Sequence, residues 1–187
     1  MRTAGFVLVG GQSRRMGRDK GLLPWGSGAL IEDVAARVAS AAGNVTLVGN
    51  PKQYSRFPFN CLLDLRPGFG PLSGIETALR SGRGEYNLIL ACDMPDADSS
   101  HLRRLIEIAC ARPAKCVVTR DGTGKLHPLC AVYHDSCLAT LTKAIEESRL
   151  RLMDLLTLLQ AEEVRFEGTI QNVNTPGDWE ALHSAHG

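Results

Sequence analysis

The sequence predicts a Rossmann-like α/β fold, three layers in the order α/β/α around a mostly parallel sheet. Two observations carry this. Short apolar runs alternate with amphipathic stretches along the whole chain, which is the pattern of β–α–β units. Several of the runs are also apolar at every position, as strands covered by helices on both faces must be.

The strand-like runs are Ala4 to Val9, Asn44 to Val48, Cys61 to Leu63, Tyr86 to Ala91, Lys115 to Thr119, Leu126 to Tyr133 and Glu163 to Phe166. Helical periodicity covers Leu30 to Ala42, Leu72 to Ser81, Ser99 to Ala111, Asp135 to Ser148 and Arg151 to Leu159. In the third of these Leu102, Leu105, Ile106 and Ala109 form one apolar stripe, and Ser99 or Ser100 is the expected N-cap. No linker, low-complexity tract or repeat interrupts the 187 residues, so one domain spanning 1–187 is expected.

Composition narrows the function. The chain is 44% hydrophobic and 22% charged, with a mean hydropathy of −0.07, values typical of globular proteins. Its 21 basic and 20 acidic residues leave a net charge of +1, so no global field recruits nucleic acid or anionic membrane. No run approaches the roughly 20 apolar residues of a membrane span, and Gly5 to Val9 is too short for a signal segment and is followed by the basic Arg14 and Arg15. A cytoplasmic protein is expected. The six cysteines, Cys61, Cys92, Cys110, Cys116, Cys130 and Cys137, include no C-x-x-C pair and read as reduced core residues.

In open α/β sheets ligands bind beyond the carboxyl ends of the strands. After the first strand stands Gly10-Gly11-Gln12-Ser13-Arg14-Arg15-Met16-Gly17-Arg18-Asp19-Lys20. Paired glycines let backbone N–H groups approach an anion, and Arg14, Arg15 and Lys20 can neutralise a triphosphate. The loop is neither a Walker A sequence nor a G-x-G-x-x-G fingerprint, which sets aside the P-loop kinase and dehydrogenase readings. A solvated basic loop would look similar, so the other strand ends must decide.

Tyr86 to Ala91 runs into Cys92-Asp93-Met94-Pro95. A carboxylate delivered there on rigid backbone suits a magnesium ion that takes its remaining ligands from phosphate and water; the competing role, N-cap of the next helix, falls more naturally to Ser99 or Ser100. Asp64 follows the third strand and could accept from a ribose hydroxyl or a base amine, or cap its own loop. Gly70 and Gly74 flank a helix start with Pro71 in its first turn; they permit close packing, and equally permit a base to lie against backbone. His127, entering the sixth strand before Pro128, is either a substrate contact or general acid–base, or a satisfied structural group. Asn172 and Asn174 share one face of an extended segment before Thr175-Pro176. They suit a hydrated magnesium or a bound phosphate, or are turn asparagines before a capped helix.

Taken together, Leu8-Val9-Gly10-Gly11 through Lys20, Gly70-Pro71-Leu72-Ser73-Gly74, Cys92-Asp93-Met94-Pro95, His127-Pro128-Leu129 and Asn172-Val173-Asn174-Thr175-Pro176 resemble the molybdenum cofactor guanylyltransferases, a family with the nucleotide-diphospho-sugar transferase-like fold. The resemblance implies transfer of GMP from GTP to the terminal phosphate of molybdopterin, with Mg2+ as cofactor. It implies that Leu8, Val9 and Gly10 meet the nucleotide, Lys20 the phosphates, Asp64 the nucleoside and Asp93 the magnesium. Gly11, Gly70 and Gly74 complete the expected nucleotide side. Arg15, Lys20 and Asp93 are the expected catalytic groups, and His127, Asn172 and Asn174 the pterin contacts. Implied partners are GTP, molybdopterin or molybdenum cofactor, and molybdoenzyme-specific chaperones or other cofactor-biosynthesis proteins. One departure concerns base selection: Val48 stands where the family often carries Asn. Two rivals follow, a CTP-dependent molybdopterin cytidylyltransferase or other nucleotidyltransferase of the same fold, and a non-catalytic cofactor carrier, which would not need Lys20 or Asp93.

Overall fold

The chain builds one seven-stranded sheet between two helical layers. The computed structural model describes residues 1–10, 19–112, 114–173, 175 and 177–180. In chain order the elements are β1 (Thr3–Leu8), β2 (Pro24–Trp25), β3 (Gly28–Ala29), α1 (Leu30–Ala42), β4 (Thr46–Gly49), β5 (Asn60–Leu63), α2 (Pro71–Arg80), β6 (Tyr86–Ala91), α3 (Ser99–Ala111), β7 (Cys116–Arg120), β8 (Leu126–His134), α4 (Leu138–Glu146), α5 (Leu152–Leu159) and β9 (Glu162–Arg165). Strand order is β5-β4-β1-β6-β8-β7-β9, with β2 and β3 forming a separate small hairpin. All pairings in the large sheet are parallel except those of β8, which runs antiparallel to both β6 and β7.

Side-chain alternation creates the layers. On β6, Leu88 and Leu90 face α1 and α3, while Ile89 faces α2, α4 and α5; on β8, Cys130 and Val132 face the first pair, and Ala131 and Tyr133 the second set. This explains why the strands read as unbroken apolar runs. Gly43 ends α1 in the left-handed region, φ 77°, its N–H donating to the Ala39 carbonyl, as a C-terminal glycine should.

Two expectations change. The N-cap of α3 is Asp98, whose side chain accepts from the His101 N–H at 2.8 Å; Ser99 and Ser100 are its first helical residues. The expected Asp135–Ser148 helix divides into a 3-10 turn, Asp135–Cys137, and α4, with Ser148 at positive φ just beyond.

Because β8 is reversed, its first residues lie at the same sheet edge as the ends of β1, β4, β5, β6, β7 and β9. The loops that can build a site therefore converge there.

Candidate active site

A cavity of about 720 Å³ opens at this edge. One side comes from the first half of the chain. Leu8, Val9, Gly10, Val48, Asp64, Gly68, Gly70, Pro71 and Gly74 all line it. Val9 N–H donates to the Val48 carbonyl at 2.9 Å. Gly49 is required beside them, since a Cβ there would lie 2.6 Å from Val9 Cγ2 and 2.8 Å from the Val9 carbonyl oxygen. Gly70 caps α2 with φ 67°, backbone that favours glycine. Gly74 lies against Leu8, where a Cβ would come within 3.1 Å of Cδ1. Of the uses open to Asp64, loop capping is present: Oδ1 accepts from the Arg66 N–H at 3.1 Å and from the Ser73 hydroxyl. Asp64 remains on the cavity wall while doing so.

Lys20 and Asp93 meet in the cavity. Asp93 stands two residues past the end of β6, and Lys20 opens a 3-10 turn, Lys20–Leu22, whose N-cap Asp19 accepts from Gly21 N–H. Lys20 Nζ donates to Asp93 Oδ2 at 2.9 Å, with both side chains about one-seventh exposed, 14% and 16%. Asn172 adds its side-chain amide, donating to Asp93 Oδ1 at 3.3 Å. Residues 20, 93 and 172, distant in sequence, thus share one point. Next to Asp93, the Cys92 thiol is driven far up in pKa by burial, reinforced by Asp93 and Asp19, so it stays protonated and is no nucleophile.

The donor set fits a hard divalent ion. Asp93 supplies one carboxylate facing the cavity, and among the described residues no group of three His, Cys, Asp or Glu side chains is placed to hold a metal. An ion at Asp93 would draw its other ligands from phosphate and water, as magnesium does, whereas a soft metal enclosed by protein would need more side chains.

His127 is a correction to the sequence reading. It is 1% exposed, Nε2 lies 2.8 Å from Asp121 Oδ2, and it is absent from the cavity wall. Burial in the β7–β8 hairpin makes it a satisfied structural group and leaves no surface for a pterin. Leu129, two residues later, does reach the cavity. Of the remaining expected residues, Gly11, Arg14, Arg15, Asn174 and Pro176 lie outside the described residues. The expected Thr175 cap is present, its hydroxyl accepting from Asp178 N–H at 3.1 Å.

Sequence reasoning passed over Asp19 and its anchor. Asp19 Oδ2 accepts from the hydroxyl of Tyr54, a residue 1% exposed, and from the Gln53 amide, both at 2.5 Å. Burial first, then Asp19, pushes the Tyr54 pKa upward, keeping the phenol a donor. The link fixes the backbone that carries Lys20. Its only sequence signal is the adjacency of Asp19 and Lys20 at the end of the basic loop.

A family model described as MobA-like NTP transferase domain matches residues 5–163. The chain is 31% identical over 182 residues to the probable molybdenum cofactor guanylyltransferase of Flavobacterium johnsoniae, covering 95% of each chain. It is 33% identical over 178 residues to the molybdenum cofactor guanylyltransferase of Pseudomonas syringae pv. tomato, covering 91% of this chain and 88% of the other. Among solved structures it is similar to molybdopterin-guanine dinucleotide biosynthesis protein A from Archaeoglobus fulgidus, with 25% identity, a TM-score of 0.77 and 98% of each chain covered.

Proposed function

Because the chain belongs to the family of MobA-like NTP transferase domains, we propose that it transfers GMP from GTP to the terminal phosphate of molybdopterin, yielding molybdopterin guanine dinucleotide and pyrophosphate. The observation that carries the reading is the meeting of Lys20, Asp93 and Asn172 in the cavity. It joins a cation, a hard-metal carboxylate and an amide donor, the groups a phosphate-to-phosphate transfer uses. The curated relatives, named for guanylyl transfer over nearly their whole length, support the choice of substrates.

The acceptor phosphate is already largely anionic near neutral pH, with a second pKa of about 6. No general base is required, and a buried His127 costs the mechanism nothing. An acceptor oxygen attacks the α-phosphorus in line, a new P–O bond forms, and the α–β bond breaks with its electron pair leaving on pyrophosphate. Catalysis is then positioning and charge neutralisation. Lys20 moves its ammonium from Asp93 to the triphosphate, and Arg15 is assigned the same task. The Asn172 amide, with Asn174, holds the acceptor phosphate. Leu8, Val9, Gly10 and Gly11 offer backbone to the nucleotide, Asp64 contacts the nucleoside, and Gly70 and Gly74 leave room for the base. Magnesium held by Asp93, when bound, supplies neutralisation of the phosphate charge.

The test is pyrophosphate release from GTP in the presence of molybdopterin and magnesium. Lys20→Ala and Asp93→Asn should each lose about 10²–10³ in rate, the usual cost of removing one such charge stabiliser. Near-normal turnover in both would reject the mechanism. Pyrophosphate absent from the wild-type reaction, with ligands bound, would favour a carrier.

A further inference from the structure

Residues 170–173 carry Asn172 into the cavity, yet they belong to no strand or helix. Their backbone donors must find partners elsewhere. They find them on acidic residues of two loops. Ile170 N–H donates to Asp121 Oδ2 at 3.4 Å and Gln171 N–H to Asp96 Oδ2 at 2.9 Å. Val173 N–H donates to the Asp93 backbone carbonyl at 3.1 Å, beside the Asn172 side chain on Asp93 Oδ1. Ile170 and Val173 are buried, 2% and 1% exposed, and between them Asn172 lines the cavity.

Asp121 is itself over-determined. Its Oδ1 accepts from the Thr123 N–H and hydroxyl at 2.9 and 2.6 Å and from Lys125 N–H at 3.1 Å. These bonds account for the tight turn between β7 and β8. They leave Oδ2, aimed between His127 Nε2 and Ile170 N–H, without a role in the turn.

We propose that Asp121, oriented by His127, and Asp96 are positioning residues for the acceptor: they set where the 170–173 segment presents the Asn172 amide. The proposal rests on the functional reading above, which makes the acceptor phosphate the partner of Asn172. It also gives the buried His127 a use that acts through Asp121 and needs no contact with substrate.

Asp121→Asn keeps an oxygen for the turn and sets an amide nitrogen against Ile170 N–H; Asp96→Ala removes the acceptor for Gln171. Hydrogen–deuterium exchange of the substrate-free protein should show the 170–171 amides exchanging about tenfold faster, the loss expected for a hydrogen bond to a charged acceptor. The KM for molybdopterin should rise about tenfold, with the KM for GTP within about twofold of wild type. Unchanged exchange at 170–171, or the two KM values rising together, would overturn the proposal. Should Asp121→Asn fail to fold, Asp96→Ala decides alone. If the wild-type protein releases no pyrophosphate with molybdopterin, the functional reading fails instead, and the exchange result still decides whether the two aspartates hold the segment.

Discussion

Glu76 is completely buried on α2, and its replacement separates two effects that are usually confounded. Oε1 accepts from Arg80 Nε at 3.0 Å and from the Thr142 hydroxyl of α4 at 3.0 Å, with Arg80 Nη2 at 2.9 Å, while Arg66 Nε stands 3.1 Å from Oε2 as an ion pair. Glu76 is 0% exposed, whereas the Arg66 and Arg80 side chains are 32% and 41% exposed. Breaking a buried pair costs about 3–5 kcal/mol when the orphaned charge stays dry. Here both guanidinium groups can rehydrate, so Glu76→Ala should cost about 2–3 kcal/mol, or roughly 4–12 °C in Tm for a chain of this size. Glu76→Leu refills the space with apolar atoms and should fall within about 1 kcal/mol of wild type. Both variants, however, release Arg66, and with it the loop that carries Asp64, Gly68 and Gly70, from its ion pair to α2. Both should therefore weaken GTP binding similarly, by up to about fivefold, the worth of an ion pair of about 1 kcal/mol. Thermal melts and calorimetric titration with GTP give the two readouts. A Tm for Glu76→Ala within 1 °C of wild type, or GTP affinity that tracks Tm across the pair, would refute the reasoning.

Three further outcomes are expected. Burial alone would raise the Asp121 pKa, but hydrogen bonds from Thr123, His127 and Lys125 outweigh it and hold the carboxyl well below the usual range. A depressed folded-state pKa stabilises above the unfolded value of about 3.9 and is lost as pH falls below it; urea midpoints should thus drop less steeply below about pH 4 in Asp121→Asn than in wild type. Gly49→Ala should lower the urea midpoint by the equivalent of about 1–3 kcal/mol, because its methyl would collide with Val9 backbone as well as side chain. In thermal-shift titrations GTP should stabilise more than CTP, by up to about 2.7 kcal/mol at 100 times its Kd, despite the buried Val48 on the cavity wall.

What the sequence reveals, and what it hides, follows from the range of each interaction. The limits of α1 and β6 are readable because local rules set them: helical spacing closed by Gly43, and an apolar run stopped at Asp93. Three potential caps in a row, Asp98, Ser99 and Ser100, defeat a local rule, and the longer carboxylate takes the cap. His127 defeats it differently. Its partner is six residues away across a tight turn, and the strand register that brings them together shifts between Val118 and Thr119, which no spacing argument detects. Leu129 reaches the cavity from the first residues of β8, where the polar His127 draws the sequence reading and an apolar side chain gives no sign of lining a site. The convergence of Lys20, Asp93 and Asn172 was visible only as separate motifs, since 73 and 79 residues separate the partners of Asp93.

That separation has a consequence for biogenesis. Domains of nascent chains begin to organise from the N-terminus during synthesis. Everything on the nucleotide side of the cavity, through Asp93, is made before any of β7, β8 and β9. Residues 170–173, whose partners are Asp93, Asp96 and Asp121, are made only after β7, β8 and β9. During synthesis the chain passes through a stage that holds one wall of its site and lacks the other, and the transfer chemistry waits for residues 170–173.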